Sequence, residues 1–554
     1  MKRIGLLLLL CGSCVLQMFA QNDMSSYAMR RGLEAWQQGD YQTAVSALAQ
    51  ELKTNPQNGM AYAVLAFVCN DAGAPNQMVR CANKAVKLLP KNDAQVLPEV
   101  LLLLSKFYWQ AEDTVQTEKY LAQALKVAPK YDKVYYRYYI FYKNTKSYDD
   151  MIMLGKVCIR MLPKEPEGYN LLFDGYMGKE LYEEALKAAE DMTRVSSHHE
   201  KTDVLLPYAH ECKARALLKL KRYDEALLMA MNTITKEQTN ELMNAVVAIA
   251  DSTSRQAVID SLNIYEQKFD RSPWWSLLRA QIYENDKRYG ECYVELYRAM
   301  QIQEMDHIWR RMGSVAANHL NDLKRAKECY EHALLLDSTD IVNHLMMADY
   351  YYDNLGNHAK GNEVLEQAIR LDALHPSVYI MRGRNLSRTG DYKHAIENLY
   401  CALVADPDNP EYYFRIARLY AMAGDTVARR KVLDKACALY KATGRTMGTE
   451  EYIALGDFDN ACKQAMEDIT PTSSENVRYN VACTFALAGR NDEAIEHLRL
   501  AIEQGFLAIP HMKHDPDLDG LRDMPTFKQL MTECEMRTAE MRQLVDKQLS
   551  EDKL

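Results

Sequence analysis

Two places in the chain gather the residue types from which a metal or acid–base site is built. His198-His199-Glu200 follow a Ser-Ser pair, and His511 and His514, three apart, precede Asp515 and Asp517. Adjacent side chains on one element diverge, so the first group reads as a solvated loop. The second has ligand-like spacing and fits a polar loop equally well. Acidic pairs behind an aromatic, such as Asp224-Glu225 and Asp492-Glu493, suit the first turn of a helix, where carboxylates meet the positive end of the dipole, better than a catalytic couple. No Gly-x-x-x-x-Gly-Lys-Ser/Thr, Gly-x-Gly-x-x-Gly or His-Glu-x-x-His run is present. The expectation is a non-enzymatic protein with no cofactor and no metal. Eleven cysteines lie singly between Cys69 and Cys534 without a Cys-x-x-Cys pair, against zinc and thioredoxin-like chemistry. They read as small buried residues, with one or two disulfides open to them in an oxidising compartment.

The elements that carry these residues are helices. In 554 residues, 23 Gly and 16 Pro fall below the roughly 7% and 5% of soluble proteins. The 48% hydrophobic and 26% charged content excludes a disordered chain, a collagen and a multi-span membrane protein. Residues 1–20 join Lys2 and Arg3 to an apolar run over 4–10 and end in Met18-Phe19-Ala20, the pattern of a secretory signal peptide cut after Ala20. An uncleaved anchor would need about 20 apolar residues. Gly12-Ser13-Cys14 resembles the end of a bacterial lipoprotein signal, with Cys11 where that signal wants Leu, so anchoring at Cys14 is the lesser alternative. Nothing later is long and apolar enough to span a bilayer. Losing Lys2 and Arg3 takes the net charge from −9 to −11, a poor basis for nucleic-acid binding.

One spacing organises the rest. Gly39-Asp40-Tyr41-Gln42-Thr43-Ala44 and Gly390-Asp391-Tyr392-Lys393-His394-Ala395 each run from a turn through an aromatic to a small residue. The small-residue column continues Ala44, Met78, Thr117, Met151, Ala185, Ala226, Ser261, Cys292, Ala326, Gly361, Ala395, Arg429, Ala461 and Ala494, a mean interval of about 34.6 residues. Twelve residues beyond the column a Pro recurs, as at Pro56, Pro90, Pro129, Pro163, Pro273 and Pro407. Tyr413, Ile416, Ala417 and Tyr420 form an apolar stripe at i, i+3, i+4 and i+7, which one helix cannot bury alone. Ala395, Leu399 and Ala402 give the second helix a narrow face for close approach.

These columns resemble the tetratricopeptide repeat family, whose unit is a 34-residue helix-turn-helix. The resemblance covers residues 25–506. It implies an all-α fold, an α-solenoid of about fourteen repeats in a right-handed superhelix, open along its length with a free inner wall. It implies partners that are other proteins or peptides, held in the groove lined by the first helices. Carried over by position, the groove candidates are Trp36, Phe67, Trp109, Tyr136, Asn170, Trp274, Arg384, Phe414 and Arg418. Aromatics and Arg are common interface anchors, and several of these also suit packing between helices.

The expected layout is a signal peptide over 1–20, a main array over 25–440, an irregular hinge or degenerate repeat over 441–474, a last repeat with closing segment over 475–524, and a charged capping helix over 525–554. Intervals of 39 before Thr117 and 41 before Ala226 predict longer inter-repeat loops. The function expected is a protein-binding scaffold of the bacterial cell envelope, within an envelope complex. The alternative is a glycan- or peptidoglycan-associated module, prompted by the run Tyr135-Tyr136-Arg137-Tyr138-Tyr139-Ile140-Phe141-Tyr142, whose rings could stack on sugars. Asp113-Thr114-Val115, Asp251-Ser252-Thr253, Asp337-Ser338-Thr339 and Asp425-Thr426-Val427 resemble an O-glycosylation acceptor sequence of the Bacteroides group, as does a signal peptide ending Ala-Gln.

Overall fold

The computed structural model describes residues 26–234, 240–269, 272–407, 409–443, 447–470 and 473–552. The signal-peptide stretch, with Cys14 and Ala20, lies outside the described residues. Among the described residues there is no strand, and helices succeed one another as fourteen hairpins, from Tyr27–Gln37 with Tyr41–Thr54 to Glu475–Leu487 with Asn491–Glu503. Each column residue falls in a second helix. Ala44, Ala185, Ala395 and Ala494 are wholly buried, and a Cβ built on Gly361 would overlap the Tyr352 ring. Small residues here let two helices touch, as the spacing predicted.

The turn dipeptide has a double role. Gly390 takes φ +79, closing its first helix, and the next residue, Asp391, caps the second by accepting from the His394 N–H at 3.3 Å. Asp40, Asp113 and Asp457 cap in the same way. Each such cap contributes about 1 kcal/mol. Lys146 holds the left-handed turn position at φ 54 without being glycine, a conformation that costs about 1 kcal/mol or more.

The 41-residue interval is absorbed differently from expectation. Its extra length goes partly into the 18-residue helix Thr202–Lys219, longer than the other first helices of its unit, rather than into a loop alone. The 441–474 stretch contains a shortened hairpin, Thr449–Leu455 with Phe458–Glu467, turned at Gly456. One element was not foreseen: residues Tyr350–Asn354 form a π turn at the end of a first helix, burying Asp353 and Asn354. All eleven described cysteines are free thiols, eight of them buried.

The chain divides into two compact units, residues 1–245 and 246–554, at a point distinct from the irregular 441–474 stretch. In the N-terminal unit, helices pack chiefly on their neighbours in sequence around one apolar core running from Met29 to Leu171. The C-terminal unit closes on itself. Its last long helix, Pro525–Glu551, packs on Asn491–Glu503, as a cap would, and also on Tyr289–Ile302 near the start of the unit. Leu544 and Val545 fill the space beside Gly290, Arg542 donates to the Leu320 carbonyl at 2.6 Å, Arg298 pairs with Asp552 at 2.8 Å, and Arg325 with Asp546. The expectation of one open array is therefore corrected for this unit. The reason is apolar: Leu507, Ile509, Met512, Leu518, Leu521, Phe527, Leu530, Met531 and Val545 are all buried. At roughly 1.5–3 kcal/mol each, an upper bound, they outweigh ion pairs contributing at most about 1 kcal/mol apiece.

Candidate functional site

The first helices of successive hairpins carry the candidate recognition residues, and the two units use them differently. In the N-terminal unit, Trp36 is buried; its indole N–H donates to Asp71 at 2.8 Å and its ring stacks on Phe67 at 6.3 Å. Phe67, Trp109, Tyr136 and Asn170 are half-buried. Trp109 meets Phe141 edge-on at 5.8 Å, and Asn170 accepts from the Tyr208 hydroxyl at 2.8 Å. Thus Trp36 serves packing, while the other four keep part of their surface outward.

Polar pairs stiffen this wall. Buried Glu99 accepts from Tyr131 and from Lys133 at 2.7 Å, and buried Asp174 accepts from Tyr139 and Lys143 at 2.6 Å each. The helix Asp132–Thr145 thus reaches a carboxylate in the hairpin before it and another in the hairpin after it. Burial, aided by Asp174, pushes the Tyr139 phenol up to about 12. Of the tyrosine run, Tyr135, Tyr138 and Tyr142 are buried, which leaves Tyr136 and part of Tyr139 toward solvent.

In the C-terminal unit the first-helix wall is engaged by the chain's own closing segment. Phe414 is 2% exposed and belongs to the core; Trp274 is half-buried. Arg384 bonds Asp349 and reaches Asp353 at 3.5 Å, and Arg388 pairs with Asp353. Arg418, one repeat beyond Arg384, donates to Asp517 at 2.8 Å. His511 sits between Asp353, at 3.4 Å from Nδ1, and Asp515, at 3.5 Å from Nε2. Asp515 also accepts from the Tyr479 hydroxyl at 2.6 Å, and Tyr479 stacks on Phe506 at 4.1 Å. Burial raises Asp353, but the His511 hydrogen bond and the Arg384 and Arg388 charges win and hold its carboxyl well below the usual range. Burial, with the Asp353 charge, pushes Asp349 up.

The network joins buried carboxylates, arginines and a histidine, and Tyr479 and Cys483 border it. The Cys483 thiol beside Asp515 is buried and pushed well above its ordinary range by burial, then by the Asp515 and Asp517 charges, which makes it a poor nucleophile. Among the described residues no three His, Cys, Asp or Glu side chains are placed to hold a metal ion. His198 bonds Ser197 and the Arg194 carbonyl, His199 reaches Glu165 at 3.1 Å, and His514 bonds the Pro510 carbonyl. No described helix is long and apolar enough to cross a membrane.

Beside the closing segment lies a cavity of about 960 Å³, lined by Arg384, Phe414, Arg418, Glu450, Asp468 and Asp517 among others. A second hollow, of about 550 Å³, surrounds Arg279, whose guanidinium is satisfied by Glu266 at 2.7 Å and Glu295 at 2.9 Å. Three of the groove candidates, Arg384, Phe414 and Arg418, line the first of these; sequence reasoning missed the second, along with the packing roles of Tyr289, Arg298 and Arg542. Their partners lie far away along the chain, and no local pattern signals them.

Comparison with known proteins bears on the repeat. Family models described as tetratricopeptide repeat match residues 29–75 and 380–442, and, separately, 311–340. Similar solved structures include yeast Tom70, at 14% identity over 79% of this chain and 95% of that one, with a TM-score of 0.32. Naa15/Naa10 bound to HypK-THB aligns at 13% identity over 94% and 93%, TM-score 0.31. The C-terminal part of a repeat-containing protein from Cytophaga hutchinsonii aligns at 16% over 50% and 99%, TM-score 0.31. The matched residues 29–75, 311–340 and 380–442 are tetratricopeptide repeats, and the fourteen stacked hairpins among the described residues continue the same helix-turn-helix unit.

Proposed function

We propose that this protein is a non-catalytic docking scaffold that receives a segment of a partner protein on the first-helix wall of its N-terminal unit. One observation carries the reading. Phe67, Trp109, Tyr136 and Asn170 stand half-exposed on successive first helices of that unit, whose helices pack chiefly on their sequence neighbours. Large rings held by packing on one side and open on the other make effective anchors, since little side-chain freedom is lost on binding. The matched tetratricopeptide repeats support protein binding as the general role. The cell envelope is the proposed setting, supported by the signal-peptide pattern of residues 1–20, with lipid attachment at Cys14 as its variant. The glycan reading keeps little surface, because three of the five tyrosines behind it are buried.

The test is capture of partners by the full chain from an extract of its native source, comparing wild type with Trp109→Ala/Tyr136→Ala. Loss of the captured protein by about tenfold or more, with unchanged helical content, is the expected result. Undiminished capture by the double variant, or turnover of a substrate by the pure chain, contradicts it.

A further inference from the structure

We propose that the cavity of about 960 Å³ in the C-terminal unit is a second docking site, and that its guest is a basic, amphipathic protein segment. The proposal extends the docking reading to a part of the molecule that reading does not use.

The shape argues for a chain-like guest. The lining comes from four consecutive hairpins, through Ile380, Phe414, Ala454 and Val481, and is completed by the closing segment at 515–519. A guest lying along it meets equivalent positions one repeat after another, and the apolar side chains Ile380, Leu399, Leu419 and Val477 supply a floor for its apolar face.

The sign of the guest is set by the charge balance. Among the described residues, seven carboxylates and four guanidinium groups line the cavity, with no Lys and no His. Two of the four, Arg384 and Arg388, are already spent on Asp349 and Asp353, which lie outside the lining. Arg418 is spent on Asp517. Glu450 is 70% exposed, with Arg418 3.6 Å away, and among the described residues Asp468 receives the neutral donors Thr449, at 3.1 Å, and Gln464, at 3.0 Å. Burial pushes the Asp517 carboxyl up; Arg418 opposes this, and the Asp515 and Glu450 carboxylates add to the push. Asp519 and Asp515 have partners of their own outside the lining, Arg522 and His511, and the exposed Arg415 adds a cation, so the shortage of positive charge falls on Glu450 and Asp468. A guest bringing Lys or Arg to Glu450 and Asp468 relieves the carboxylate crowding, whereas an acidic guest adds to it.

Fluorescence anisotropy with the full chain, at about 150 mM salt to screen diffuse attraction, tests this. The probe is a labelled helical peptide of about 16 residues with Leu at i, i+3, i+4 and i+7 and Lys elsewhere; its twin carries Glu in place of Lys. The Lys peptide is expected to bind about tenfold tighter than its twin, and Glu450→Gln/Asp468→Asn to lose about tenfold. Glu183→Gln/Glu184→Gln, which removes the same charge from an exposed helix of the N-terminal unit, is expected to change nothing. Equal or tighter binding of the Glu twin overturns the sign of the guest. No binding of either peptide, or equal losses in the two variants, overturns the site. Neither result touches the N-terminal reading, which stands or falls on the Trp109/Tyr136 variant.

Discussion

The two units are built from the same hairpin and partner its first-helix side chains differently. In the N-terminal unit, first-helix rings such as Trp109 and Tyr136 remain half outside, and the wall's buried charges, Glu99 and Asp174, are satisfied by Tyr and Lys of adjoining hairpins. In the C-terminal unit the equivalent wall is read by the protein itself: Asp517 takes Arg418, and His511 bridges Asp353 and Asp515. A repeat that touches only its neighbours adds stability step by step. Closing the row with a distant segment converts that sum into a cooperative block, in which loss of the seal is felt by hairpins much earlier in the chain. The difference teaches that repeat identity does not decide openness; the segment after the last repeat decides it.

The comparison is broken most severely by placing a charge in the seal. Val545 is fully buried near Gly290, and Val545→Asp is expected to destabilise the C-terminal unit by about 3–4 kcal/mol while leaving the N-terminal unit unchanged. Helix-resolved hydrogen exchange reads the two units separately.

Acid comes next. His319 lies against Tyr289 at 3.7 Å between ring centres, and burial pulls its pKa down to about 4 from the ordinary value near 6.5. The unfolded chain then binds a proton that the folded one refuses. This stability is complete above pH about 6.5 and is lost as pH falls toward 4, by about 3 kcal/mol in all. Melting of wild type and His319→Gln across that window checks it: the variant's curve is expected to be flatter with pH.

The smallest effect sharpens the comparison from the other side. Lys146→Gly, which relieves the left-handed turn of an N-terminal hairpin, is expected to raise that unit's stability by about 0.5–1 kcal/mol and leave the C-terminal unit unaffected. Exchange protection of Asp132–Thr145 and Tyr148–Met161 measures it.

Hairpins were legible in the sequence because their causes are local. Gly390 and Asp391 end one helix and cap the next within a few residues, and Ala395 marks the contact face by its size. The contact of Pro525–Glu551 with Asn491–Glu503 covers a last face, whereas its return to Tyr289–Ile302 rests on Leu544 and Val545 beside Gly290, flanked by pairs such as Arg298 with Asp552, all far apart in sequence and without periodic trace. The π turn at Tyr350–Asn354 was invisible for a related reason: its buried Asp353 is balanced by Arg384, Arg388 and His511 from elsewhere in the chain. The groove candidates divided because position on a first helix gives the face only approximately. Trp109 and Tyr136 fell at its open edge, and Trp36 and Phe414 fell inside.

The closure of the C-terminal unit by its own last segment is measured most directly by hydrogen exchange of the full chain without any partner, read over residues 505–552. The account predicts protection of that segment equal to that of Tyr289–Ile302, the helix it covers. Exchange at the rate of a free tail would contradict it.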